Sequence, residues 1–242
     1  MIAQLVLWQL AASSVPSMES EDVKLKLVCV GDGSTGKTCL LEVYEKGAYP
    51  QGYEPTIFHQ TVKKVQHTYG GRLRMVNLEL WDTAGQEEYE EARKLCYPNA
   101  NVVMIVFSII FPDSLANVEN IWKREANAKC PGIPVILVGT KADLRNNEYE
   151  IERLRECGQH AVTYTEGVAM AKSIGAEAYI ECSAKEDYNV AAVFDEAMDV
   201  FFRNEAKATK KGARTNCCES FSLLSLTGRY AEQFRHQPQD FE

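Results

Sequence analysis

Gly31-Asp-Gly-Ser-Thr-Gly-Lys-Thr38 decides how this chain is read, because of what stands on either side of it. Ahead of it Leu25–Val30 is a short β-branched apolar run that reads as a strand, and behind it Gly36–Tyr44 has the periodicity of a helix. The octet fits G-x-x-x-x-G-K-[ST] in the strand-to-helix position that the motif requires. Its glycines let backbone N–H groups converge on phosphate oxygens, and the helix that follows adds the positive end of its dipole. The spacing assigns Lys37 to the β- and γ-phosphates of a nucleotide and the Thr38 hydroxyl to Mg²⁺. Asp32, Gly33, Ser34, Thr35, Gly36 and Cys39 complete the cradle. The loop alone does not separate ATP from GTP, nor a switch from a kinase.

Outward from the loop, short β-rich runs alternate with longer amphipathic ones, the pattern of strands that cross over through helices. Thr61–Tyr69 and Leu73–Trp81 flank Gly70-Gly71, a two-residue hairpin signal. Val102–Ile109, Val135–Val138 and Ala178–Glu181 read as buried strands. Helical patterns cover Ser114–Ala128, Thr165–Ile174 and Val190–Glu205, the last with Val190, Val193, Phe194, Ala197 and Phe201 on one face. The expectation is a P-loop NTPase of the α/β class. Its six-stranded sheet is mainly parallel, with one antiparallel edge strand and helices on both faces. The domain should span 23–205, between a flexible extension at 1–22 and a polar, basic tail at 206–242.

Bulk properties narrow the function. With 242 residues, 45% of them hydrophobic, the chain can bury one substantial core. A formal net charge of −8 disfavours a phosphate backbone as main partner, so no nucleic acid is expected. The eight cysteines are scattered and show no zinc spacing, as in a reduced, cytoplasmic protein. The longest apolar run, Val102–Phe111, is about half a membrane span. Met1–Ala12 is apolar but lacks a basic region ahead of it, which argues against a secretory signal.

Two segments choose the base and the reaction. Asp82-Thr-Ala-Gly85-Gln86 follows the third strand. Asp82 there can hold Mg²⁺, usually through water, the Gly85 N–H can meet a γ-phosphate, and Gln86 can orient an attacking water. Thr140-Lys141-Ala142-Asp143 ends the Val135 strand. The Asp143 carboxylate can accept from both the N1–H and the amine of guanine, a donor pair that adenine lacks. The Lys141 stem would pack over the base. Cys182-Ser183-Ala184-Lys185 ends the last strand, where a backbone N–H could reach guanine O6; taken singly it is equally well an ordinary loop.

Together these segments resemble the small GTPases of the Ras superfamily, and the wording is closest to the Rho family. Gly31–Leu41, Tyr53-Glu-Pro-Thr-Ile-Phe58, Leu80–Tyr89 and Phe194-Asp-Glu-Ala197 carry the resemblance, which spans roughly 24–202. The charged stretch Asn146–Cys157 resembles the Rho insert helix, with Ile151 and Leu154 as anchors and Glu148, Glu152 and Glu156 facing water. It could equally be a surface helix with no partner.

The resemblance implies a monomeric GTP/GDP switch with Mg²⁺ as cofactor. It makes Thr56 the switch I threonine that ligates Mg²⁺ and senses the γ-phosphate, Tyr53 a cover for the nucleotide, and Tyr49 the aromatic at the guanine edge. Thr35 stands where a small aliphatic is usual. Gly33 leaves room for Gln86 and for an arginine of a GTPase-activating protein (GAP). Thr56–Phe58 and Glu87–Tyr97 would face effectors, and an exchange factor and a GAP would drive the cycle. Lys37, Thr56 and Gln86 would carry catalysis. Turnover would be slow, because no arginine is clearly placed as a finger in cis and a partner's is worth about 10³–10⁵ in rate. The runner-up is a GTP-bound adaptor with fast exchange or poor hydrolysis. A nucleotide kinase is a distant third, since no arginine-rich lid is visible.

The C-terminus departs from the family pattern. A basic run (Lys207, Lys210, Lys211, Arg214) precedes Cys217-Cys218, but no cysteine stands four from the end, so prenylation is not expected. Palmitoylation of Cys217 and Cys218, giving peripheral attachment at the plasma membrane, and an unmodified tail are the two alternatives. Cys39 is either redox-sensitive, as in some Rho proteins, or inert.

Overall fold

The computed structural model describes residues 22–52, 56 and 58–209. Tyr53, Cys217 and Cys218 lie outside the described residues, as do 1–21 and the rest of the tail. The elements run β1 (Val23–Val30), α1 (Lys37–Lys46), β2 (Phe58–Tyr69), β3 (Arg72–Thr83), α2 (Glu90–Lys94), β4 (Val102–Ser108), α3 (Pro112–Asn117), α4 (Lys123–Lys129), β5 (Val135–Thr140), α5 (Glu148–Glu156), α6 (Tyr164–Ser173), β6 (Ala178–Glu181) and α7 (190–209). The sheet order is β2-β3-β1-β4-β5-β6. Every neighbouring pair is parallel except β2–β3, as the hairpin signal predicts. Gly70 and Gly71 both hold positive φ (59° and 75°), the backbone of a type I′ turn that glycine adopts without steric cost.

Apolar runs without alternation are explained by a core on each side of the sheet. Leu25, Leu27, Cys29, Met104 and Val106 face α1 and α7, where Leu40, Val193, Phe194, Ala197 and Phe201 close the layer. Val28, Val30, Val103, Ile105 and Leu137 face the other way, onto Val118, Trp122, Ala126, Ala171 and Ile174. Alternating residues of one strand thus serve two layers. The loops at the carboxyl ends of β1, β3, β5 and β6 are left free to carry chemistry.

Three expectations are corrected. The run expected as one regular α-helix over Ser114–Ala128 is broken by a π turn, Val118–Trp122, in which the Lys123 N–H bonds to Val118 O. The last helix continues to at least residue 209, past the expected end of the domain. In α5, Leu154 is 2% exposed and anchors the helix, whereas Ile151 is 36% exposed. The second tie of α5 is polar, the Arg153 guanidinium donating to Ile110 O at 2.9 Å.

Candidate functional site

The loop 31–36 leaves β1 and enters α1 beside the end of β3, because β1 and β3 pair in register as far as Cys29 and Asp82. That register sets Thr38, at the start of α1, against Asp82. Thr38 Oγ1 donates to Asp82 Oδ2 at 2.6 Å and lies 2.9 Å from Thr56 Oγ1. Lys37 Nζ is buried and donates to Gly31 O and Asp32 O, both at 2.8 Å, so its ammonium is held inside the curl of the loop. Lys37, Thr38 and Thr56 open onto a cleft of about 780 Å³, lined also by Gly33, Ser34, Gly36, Cys39, Tyr49, Gly85, Gln86 and Lys141, whereas Asp82 lies buried behind Thr38 and Asp143 is not among the lining residues. That volume suits a nucleotide-sized ligand.

Burial shapes the charges at the cleft floor. It pushes the Lys37 ammonium down from its ordinary range and the Asp82 carboxyl up, although Thr38 and Lys37 both favour the carboxylate. Asp82 Oδ1 is buried without a hydrogen-bond partner. An orphaned carboxylate oxygen beside two hydroxyls is a donor set that fits Mg²⁺, which takes one or two carboxylates and completes its shell with waters and phosphates. Among the described residues no cluster of three His, Cys, Asp or Glu side chains forms an all-protein metal cage.

Close approach of backbone to backbone explains two glycines. A Cβ on Gly85 would lie 2.3 Å from Asp32 C and Gly33 N, so only glycine lets the segment after β3 touch the phosphate loop. A Cβ on Gly33 would meet only the Gln86 side chain, at 3.8–3.9 Å. Gln86 therefore stands directly across from Gly33.

The segments expected to read the base meet at the ends of β5 and β6. The Ala142 N–H donates to Cys182 O at 3.1 Å, joining Thr140–Asp143 to Cys182–Lys185. Lys141 adopts a left-handed backbone (φ 60°) and its Nζ donates to Ser34 O at 2.8 Å, which carries its stem over the cleft. Asp143 sits in a 3₁₀ turn, Ala142–Leu144. Tyr49 stands at the rim; burial, then Cys39 and Asp143, push its phenol up. Thr140 Oγ1 donates to Thr35 O at 2.5 Å and Phe107 O at 2.9 Å, tying the base segment to the phosphate loop.

Several expected site residues stand apart from the cleft. The Asp32 side chain turns away, accepting from Asn117 Nδ2 at 2.7 Å and Trp122 Nε1 at 2.6 Å. Thr35 is fully buried, its hydroxyl spent on Asp32 O at 2.8 Å, so it offers the cleft only backbone. The Ser183 hydroxyl caps its own turn by accepting from the Glu186 N–H at 3.1 Å, and Ala184 and Lys185 follow in that turn. The expectation that all of Glu87–Tyr97 forms outer surface is corrected: Arg93, Cys96 and Tyr97 are buried. Sequence reasoning missed His59, which lines the cleft opposite Asp82 in the β2–β3 register. It also missed Asn117, Trp122, Arg93 and Glu125. No spacing rule marks these, since their relation to the loop is set by packing.

The Ras family model matches residues 26–202. The chain is 49% identical over 197 residues to GTP-binding protein RHO1 of Saccharomyces cerevisiae, covering 81% of this chain and 92% of that protein. It is 48% identical over 176 residues to GTP-binding protein rho1 of Schizosaccharomyces pombe, covering 73% of this chain and 85% of that protein. Against GTP-binding protein rho4 of the same yeast the identity is 44% over 195 residues, 81% of this chain and 95% of that one.

Proposed function

The chain belongs to the Rho-type small GTPases of the Ras family, GTP-binding switches that hydrolyse GTP, and on that premise we propose how its own residues run the cycle. The phosphates lie in loop 31–36, with Lys37 against the β- and γ-phosphates, and guanine is read by Asp143 between Lys141 and Tyr49. The observation that carries this placement is the convergence of Lys37, Thr38 and Thr56 on one cleft that Gly85 and Gln86 also line, with Asp82 buried behind Thr38.

Thr38, Thr56 and, through water, Asp82 would hold Mg²⁺, which when bound neutralises charge on the phosphates. Lys37 and the loop amides stabilise the charge spread over the transferred phosphoryl group, and Gln86 orients the water that attacks it. The water's oxygen bonds to the γ-phosphorus as the bridge to the β-phosphate breaks, leaving GDP and inorganic phosphate. Loss of that phosphate frees Thr56 and Gly85, so hydrolysis is converted into release of two surface segments. Buried Arg93 is committed to structural partners, which supports acceleration by an arginine from a GAP. Phe58 and the exposed part of 88–95 form the effector-facing surface, and the basic tail with Cys217 and Cys218 attaches the protein to the membrane periphery. Among the described residues no helix is long and apolar enough to cross a membrane.

Calorimetry on purified, nucleotide-stripped protein tests the placement. GDP and GTP should bind in the presence of Mg²⁺ while ADP and ATP do not, and Asp143→Ala should abolish the discrimination. Equal binding of ADP and GDP by the parent protein would overturn the role of Asp143.

A further inference from the structure

One helical bracket touches both walls of the cleft from behind. Five residues apart on an α-helix, Asn117 and Trp122 would point about 140° apart. The π turn between them adds a residue to the turn and brings both onto one carboxylate, that of Asp32 in the phosphate loop. One turn further on, Glu125 reaches the other wall. Its carboxylate accepts from Arg93 Nε at 3.2 Å, Arg93 Nη2 at 3.3 Å and the Tyr97 hydroxyl at 2.8 Å. Arg93 then donates through Nη1 to Ala84 O at 3.0 Å and Gln86 O at 2.6 Å. Its guanidinium lies 4.9 Å from the Trp122 ring centre, which closes the circuit back to Asp32.

Burial gives this chain of contacts its stiffness. Arg93 is 3% exposed and the Glu125 side chain 11%, so their ion pair is little screened and neither side chain has water as an easy substitute partner. The two carbonyls that Arg93 grips flank Gly85, the residue that meets the phosphate loop backbone to backbone, and the second belongs to Gln86 itself.

We propose that Glu125, acting through Arg93, is a positioning residue for Gln86: the bracket holds the Gln86 backbone at a fixed distance from the phosphate loop, so GTP hydrolysis depends on a carboxylate that does not line the cleft. The proposal rests on Gln86 orienting the attacking water, as set out above. It places the dependence in hydrolysis and not in nucleotide retention, because the hydrogen bonds and ion pair of Glu125 go to Arg93 and Tyr97 and not to loop 31–36.

Single-turnover hydrolysis and release of a fluorescent GDP analogue, both on the Mg²⁺-loaded full chain, test it. Glu125→Gln keeps the shape but weakens both Arg93 contacts, so hydrolysis should fall by about tenfold, the size of one lost charge-assisted hydrogen bond. GDP release should stay within about twofold, since one mutation away from the nucleotide leaves its contacts intact. Arg93→Lys, which keeps the charge but loses the fork, should give the same split. On a Gln86→Leu background Glu125→Gln should cost nothing further, because both act through one group. Glu125→Gln at the parental hydrolysis rate overturns the proposal, as does equal loss of hydrolysis and GDP retention. If Gln86→Leu alone hydrolyses GTP normally, the underlying assignment of Gln86 fails instead. Should Glu125→Gln not fold, Tyr97→Phe, which removes one contact to Glu125, must still slow hydrolysis, and an unchanged rate there also overturns it.

Discussion

Thr38 Oγ1 donates to Asp82 Oδ2 across 2.6 Å, joining residues 44 apart in sequence, while Asp82 Oδ1 stays buried and unpartnered. The hydroxyl and the half-satisfied carboxylate are two of the groups proposed to hold Mg²⁺. Asp82→Asn keeps an acceptor for Thr38 but removes the charge. The Mg²⁺ concentration needed to retain GDP should rise by about 10–100-fold, as for lost outer-shell partners generally. In excess chelator the parent and variant should release GDP at similar rates. The nucleotide-free variant should melt higher than the parent, since burial disfavours this carboxylate more than Thr38 and Lys37 favour it. An unchanged Mg²⁺ requirement would remove Asp82 from the metal site.

Two glycines on facing walls should respond differently. Gly85→Ala forces a Cβ to within 2.3 Å of backbone atoms, so the segment after β3 must retreat from the phosphate loop. Stability should drop by about 1–3 kcal/mol, and GTP-dependent protection of 84–95 in hydrogen exchange should disappear. Gly33→Ala meets only a flexible glutamine at ordinary contact distance and should fold and bind GDP as the parent does. Equal destabilisation by both changes would refute this packing of Gly85 against the phosphate loop.

Phe194 stacks on Tyr44, ring centres 3.7 Å apart, and fixes α7 to α1 beneath the phosphate loop. Phe194→Ala should cost about 3–5 kcal/mol in urea unfolding, the sum of lost burial and a cavity. Because α1 carries Lys37 and Thr38, GDP release should also quicken. Loss of stability with unaltered release would show that the helix holds its place without Phe194.

Arg145 Nη1 and Nη2 donate to the two oxygens of Glu181 at 2.8 and 2.6 Å, clamping the segment after β5 to the end of β6. The Tyr179 hydroxyl adds a third contact at 2.6 Å. Glu181 in turn holds the Arg145 guanidinium above its ordinary pKa. Glu181→Ala strands two partly buried donors and should cost about 1–3 kcal/mol. The cost should appear as faster GDP release with ordinary Mg²⁺ dependence, because the clamp supports the segment proposed to read the base. A shift in the Mg²⁺ requirement would contradict that assignment.

Much of this protein was legible in the chain itself, wherever chemistry depends on local spacing. The octet at 31–38 sits between strand and helix because loop geometry and residue type are both local, and its reading extends to the strands around it. The hairpin at Gly70-Gly71 and the apolar face of α7 were legible for the same reason: turn backbone and helical period are written in consecutive residues. Ile151 marks the limit, since periodicity offered two anchors for α5 and only Leu154 finds a surface to bury against.

Tertiary structure alone decided what crosses from one element to another. Nothing in the spacing of Asn117, Trp122 and Glu125 announces a π turn or tells that Asp32 faces them and not the cleft. Arg93 belongs to a stretch expected to face effectors, yet it is buried because two carbonyls of the preceding turn and the distant Glu125 carboxylate accept four hydrogen bonds from it there. Local pattern sets which groups a segment can present. Which of them meet depends on how two cores close around one sheet, and that is a property of the packed whole.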